Sequence, residues 1–221
     1  MEKIRRSEKF HRLIPFIIFI VGYLIWFEVL EHVTRTNVML IGWPVDKKIP
    51  FLECFILPYD SWFIFLPFGI LVLLIQDEEA YDRLITFLMI GMLAFLVIST
   101  VWPNRLDLRP ETLPRDNIFS RMILSLWAAD TPENVWPSIH VFDTAAIELM
   151  LLISHANWMK KKWVRIATMV WAVLIIVGTL FIKQHSLFDH LTAWLMLGIL
   201  SFLILKCGMV FRFDRKRRSR V

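Results

Sequence analysis

Cysteine is almost absent from this chain: Cys54 and Cys207 are the only two in 221 residues, too few for a disulfide framework. There is also no internal repeat and no low-complexity linker, which excludes a solenoid or a string of tethered domains and leaves residues 1–221 as one domain. A cleavable leader is not apparent. The first apolar run continues through Gly22-Tyr23-Leu24-Ile25-Trp26 without a small-residue cleavage site, so it is expected to stay in the chain. Metal-ligand clusters are lacking too. A His-x-x-x-Asp pair offers two ligands at most, and the other polar residues that could join it are cations and a hydroxyl, which suit an anion better than a metal ion. No metal and no cofactor is expected.

What the chain has in abundance is apolar surface. Hydrophobic residues make up 57% and aromatic residues 14%, with a mean hydropathy of +0.58, above what a water-soluble domain of this length carries. Crossing roughly 30 Å of hydrocarbon takes about 20 residues of helix, and six runs come close to that length: 13–32, 61–76, 84–102, 138–156, 163–182 and 187–210. The second is minimal and interrupted by Pro67; it is counted as crossing all the same. The expected fold is an all-α integral membrane protein, a bundle of six transmembrane helices.

Charge sets the expected orientation. The side holding residues 1–13, 77–83, 157–165 and 206–221 carries 17 of the 25 Lys and Arg, so both termini are expected in the cytoplasm. The tail Arg212-Phe213-Asp214-Arg215-Lys216-Arg217-Arg218-Ser219-Arg220 directly follows a span. It reads as a topology signal touching anionic membrane lipids, and no nucleic-acid partner is expected. On this topology Cys54 and Cys207 lie at opposite faces, beyond disulfide reach. Trp43, Trp62, Trp102, Trp136 and Trp158 fall near the interfaces as an aromatic belt.

The longest segment outside the hydrocarbon is 103–137, polar and punctuated by Pro103, Pro110 and Pro114. From Ile118 the pattern changes. Ile118, Phe119, Met122, Ile123, Leu126 and Trp127 recur at three- and four-residue spacing, which predicts a short extracytoplasmic amphipathic helix at the interface.

Three polar segments fall on that same outer side: Arg109-Pro110, then Pro137-Ser138-Ile139-His140, then Lys183-Gln184-His185 followed by Asp189. Ionisable groups at span boundaries are costly unless they gather around a polar ligand. His185 and Asp189, four apart, would share a helix face, so the carboxylate can fix one ring nitrogen as N–H and leave the other as a nucleophile. Ser138 and the free N–H groups opening the fourth helix suit a phosphate oxygen, and His140 beside them is placed to act on a leaving oxygen. Arg109 and Lys183 bring the positive charge that a phosphoryl-transfer transition state requires.

In the order Arg-Pro, Pro-Ser-x-His and His-x-x-x-Asp across six spans, residues 84–210 resemble the type 2 phosphatidic acid phosphatase superfamily, which includes vanadium haloperoxidases and sphingolipid phosphotransferases. The resemblance implies that His185 attacks phosphorus to form a phosphohistidine, that Asp189 orients it, and that His140 protonates the leaving group. It also implies that Arg109 and Ser138 bind the phosphate. Two cations of the family pattern are missing, with Trp102 where a lysine is usual and Thr179 where an arginine is. Lys183 and Arg105 are the expected replacements. The Lys-Gln-His form, and Ile139 in place of glycine, resemble the inositol-phosphorylceramide synthase-like branch.

Histidines in such a chain are ordinarily interfacial or hydrogen-bonded, and His32, His155 and His190 are read that way; joint spacing sets His140 and His185 apart. Asp143 and Glu148, inside the fourth run, are expected to face a polar interior, with Asp143 either tuning His140 or pairing with another helix. The expected function is hydrolysis of lipid phosphate or pyrophosphate monoesters at the extracytoplasmic face. One alternative is a phosphotransferase, in which a lipid alcohol replaces water. Another is a catalytically silent transporter or scaffold, against which His140, His185 and Asp189 argue. A haloperoxidase fits least in a chain built for lipid.

Overall fold

The computed structural model describes residues 11–33, 35 and 37–212. The cations before residue 11 and the basic tail from residue 213 lie outside the described residues. Helix α1, Leu13–His32, buries only a seven-residue repeat, Phe16, Tyr23 and Leu30. That is one narrow seam on an otherwise apolar exposed rod. The seam lies against α4 (Glu78–Val101), where Tyr23 and Phe27 meet the ring of Phe95. Between them run strand β1 (Met39–Ile41), 3-10 turns at Pro44–Lys48 and Glu53–Phe55, the short α2 (Ile56–Asp60), and α3 (Trp62–Gln76).

Helix α4 starts at Glu78 rather than at residue 84 because its first turn is well made for a terminus. The Asp77 carboxylate accepts from Ala80 N–H at 3.1 Å, and Glu78 and Glu79 sit at the positive end of the helix. Strand β2, Asn104–Leu106, then pairs in parallel with β1, a three-residue pairing that hydrophobic periodicity does not announce. Amphipathic helix α5 spans Ile118–Ala129, capped by the Asn117 side chain, which accepts from Ser120 N–H at 2.9 Å. It does not lie free. Ile123 packs with Ile56, Tyr59 and Ile182, so α5 roofs the end of the bundle where α2 sits.

Among the described residues, five helical stretches are long and apolar enough to cross a membrane: Leu13–His32, Glu53–Gln76, Glu78–Val101, α7 (Lys162–Phe181), and Leu187–Lys206, which joins α8 (Leu187–Ser201) to a π turn. The fourth expected run is different. Its helix, α6, covers only Ile139–Ile153, about 22 Å at 1.5 Å per residue, and it is the buried axis of the bundle. Helices α3, α4, α7 and α8 all pack on it. Close approach is possible because Gly69 faces Ile147 and Gly91 faces Phe142: a Cβ on Gly91 would fall 2.0 Å from that ring. Small residues let helix backbones come this near. The interior polar groups of α6 follow the expectation in part. Glu148 accepts from the Thr168 hydroxyl of α7 at 3.1 Å, whereas neither carboxylate oxygen of Asp143 has a hydrogen-bond partner.

Candidate functional site

All three motif segments meet at the α2 end of the bundle. Helix α8 begins with a capping box: the Ser186 hydroxyl serves Asp189 N–H, while the Asp189 carboxylate receives Ser186 N–H at 2.9 Å and the Ser186 hydroxyl at 2.7 Å. His185 therefore precedes the helix rather than standing on it. Its Nδ1 still reaches Asp189 Oδ2 at 3.3 Å, through the cap instead of along a helix face. Its Nε2 lies 3.2 Å from Nδ1 of His140, which is in the first turn of α6. The Nε2 of His140 is 3.0 Å from the hydroxyl of Tyr59. The result is a continuous row, Tyr59–His140–His185–Asp189, in which Tyr59, His185 and Asp189 are buried and His140 is half-buried.

Burial, opposed by the Val135 carbonyl and reinforced by the Arg109 charge, pulls the pKa of His185 down to about 3. Arg109 itself is held by carbonyls and one amide. Its guanidinium donates to Gln184 Oε1 at 2.7 Å and to the Asp130 carbonyl at 2.8 Å, and it lies over the Trp127 ring. Gln184 closes the ring of contacts by donating to Asp130 Oδ2 at 2.7 Å. Burial raises the Asp130 carboxyl to about 6, against the pull of Arg109. The Nε–H of Arg109 is buried and has no partner.

Ser138 is the N-cap of α6, its hydroxyl accepting from Val141 N–H at 3.3 Å, and its own N–H reaches the Asp189 carbonyl at 3.5 Å. That bond sets the start of α6 against the start of α8, the two helix ends that present the histidines. The loop before it is fixed by Asn104, whose side-chain oxygen accepts from Val135 and Trp136 N–H at 2.9 and 3.0 Å.

The two expected replacement cations are not with the histidine pair. Lys183 is buried, with its ammonium donating to the carbonyls of Asp46 at 2.9 Å and Ile49 at 2.5 Å, and burial lowers its pKa. It ties the 44–49 turn to the loop that carries His185. Asp46 returns the tie by accepting from Leu187 N–H at 2.8 Å. Arg105 lies on β2 between the buried Asn104 and Leu106 and points outward, exposed. At the two positions where the resemblance led to an expected cation, Trp102 is exposed and Thr179 is bonded to His190 at 2.7 Å. Tyr59, Asp130 and Asp46 are the members of the site that the motifs do not announce, and Gln184 stands inside the third motif, which assigns it no role. Among the described residues no group of three or more His, Cys, Asp or Glu gathers as a metal centre. No family model, curated protein or solved structure matches the chain.

Proposed function

We propose that this chain is a membrane phosphatase of lipid phosphate or pyrophosphate monoesters, of the type 2 phosphatidic acid phosphatase kind, working through a phosphohistidine. The observation that carries this reading is the row His140–His185–Asp189 beside Arg109, at one end of an apolar bundle. With Nδ1 bonded to Asp189, the Nε2 of His185 holds the free lone pair and is the attacking atom. A phosphate group enters between the two imidazoles and replaces their mutual hydrogen bond. His140 then protonates the leaving oxygen, a contribution of about 10²–10⁴ in rate for a well-placed acid, and water resolves the phosphohistidine.

The phosphate oxygens are met by the unpartnered Nε–H of Arg109 and by the N-terminus of α6 behind Ser138. Lys183 and Arg105 contribute no direct contact in this reading. A cavity of about 340 Å³ between α6, α7 and α8, lined by Leu149, Leu152, Met169, Val173, Trp194 and Leu197, suits a hydrocarbon tail. The positive-inside rule puts the site on the extracytoplasmic face and both termini in the cytoplasm, with α6 counted as a sixth, short crossing.

The test is an assay of the purified protein in detergent against a panel of lipid phosphates and pyrophosphates, with and without a lipid-alcohol acceptor. Release of inorganic phosphate is expected in both conditions. Phosphate transfer to the acceptor without release would make the protein a phosphotransferase, and neither product would leave it a silent member of the fold.

A further inference from the structure

The hydrogen bonds of the histidine pair have a direction, and it leads out of the three motifs. Asp189 accepts from Ser186 on both oxygens, so it faces His185 as an acceptor and Nδ1 of His185 carries the proton. The Nε2 lone pair of His185 then accepts from Nδ1–H of His140, and Nε2 of His140 accepts the hydroxyl proton of Tyr59. Tyr59 is 1% exposed and stands at the end of α2, which no motif touches. Trp62, one turn further, sets its ring 4.7 Å from the same imidazole, while the Tyr59 ring is 4.8 Å away. Around the Tyr59 hydroxyl lie Gln184 and Asp130 from the facing loops, with the charges of Arg109 and Asp60 nearby.

We infer that Tyr59 is a positioning residue for His140: its hydroxyl holds the imidazole so that Nδ1 faces the space beside His185 where a leaving oxygen would sit. The inference rests on the phosphatase reading. When a monoester dianion enters between the rings, His140, whose Nδ1 already carries a proton, takes a second one from solvent on Nε2. The Nε2–H of the resulting imidazolium then donates to the Tyr59 oxygen, whose own proton turns toward Asp130. As the bond from His185 Nε2 to phosphorus forms, the ester P–O bond breaks and its electron pair stays on the leaving oxygen. That oxygen takes the Nδ1 proton and departs as a neutral alcohol. Tyr59 gives up no proton in the cycle. It changes from donor to acceptor as His140 gains charge, which phenylalanine cannot do.

The test compares wild type and Tyr59→Phe in detergent on a short-chain alkyl phosphate, which needs a proton to leave, and on p-nitrophenyl phosphate, which does not. The expected loss in kcat/KM is about tenfold or more on the alkyl ester and under about threefold on the nitrophenyl ester. Equal losses on both, as a merely structural role gives, would overturn the inference, as would no loss on either. Should Tyr59→Phe fail to fold, a ring-fluorinated tyrosine at position 59 keeps the shape but weakens the hydroxyl as an acceptor, and its loss must again be confined to the alkyl ester. A folded wild type that hydrolyses neither ester fails at the earlier step and overturns the phosphatase reading itself.

Discussion

With its pKa drawn down to about 3, His185 is uncharged in the free protein throughout the physiological range, so its Nε2 lone pair needs no additional base to free it. The same burial acts differently at Lys183, whose ammonium is spent on the carbonyls of Asp46 and Ile49. Lys183 also holds a left-handed backbone, φ 60°, which a non-glycine residue adopts at a cost. Removing the ammonium takes the Lys183 bond from the half-buried Ile49 carbonyl and one of two donors from the Asp46 carbonyl, which keeps Ile49 N–H, so Lys183→Met is expected to lower stability by about 1–2 kcal/mol. Thermal unfolding followed by tryptophan fluorescence reads this, and kcat/KM of the folded fraction should stay within about threefold of wild type. A fall of about 10² at unchanged Tm would instead return the ammonium to the phosphate. His140, His185 and Asp189 were legible in the sequence because their spacing to span ends is a pattern. Tyr59 and Asp130 were not, since nothing in the chain ties position 59 to position 140 except the fold itself, and Gln184 stood in the third motif without its bonds to Arg109 and Asp130 being readable.

At the scale of elements, α6 governs the site because its first turn carries Ser138 and His140 while its body is wedged among four helices. The tightest wedge is Gly91 against Phe142. Gly91→Ala forces that ring or the helix aside and is expected to destabilise by about 1–3 kcal/mol. Gly198→Ala is the control: a Cβ there meets nothing within 4 Å, so the helix should hold or gain up to about 1 kcal/mol. Thermal unfolding of both variants decides it, and equal melting temperatures would mean that α4 and α6 are not locked at Gly91. The helices were largely readable from apolar runs and, for α5, from the spacing between Ile118 and Trp127. The length of α6 was not, because an apolar run reads alike whether lipid or protein surrounds it. Asp143, Thr144 and Glu148, all buried, were the sign that protein does. The β1–β2 pair is too short to leave any periodic trace.

For the molecule as a whole, the orientation can be read with its own two cysteines, since Cys54 and Cys207 are both free and exposed and lie toward opposite ends of the bundle. On intact cells a membrane-impermeant maleimide is expected to label Cys54 and spare Cys207, with both labelled after lysis; the reverse pattern would put the site on the cytoplasmic side. An apolar bundle with one buried polar end was legible from composition and cation placement, while the crossing number was not, because it turns on where α6 stops. The claim on which the functional account depends is covalent: His185 takes the phosphoryl group. Its most direct test is a rapidly quenched reaction of the purified protein with a radiolabelled lipid phosphate, followed by peptide mapping. The account predicts acid-labile, base-stable label on His185, absent from His185→Ala, which should also be inactive. Turnover without label on any histidine, or normal turnover in His185→Ala, would contradict it.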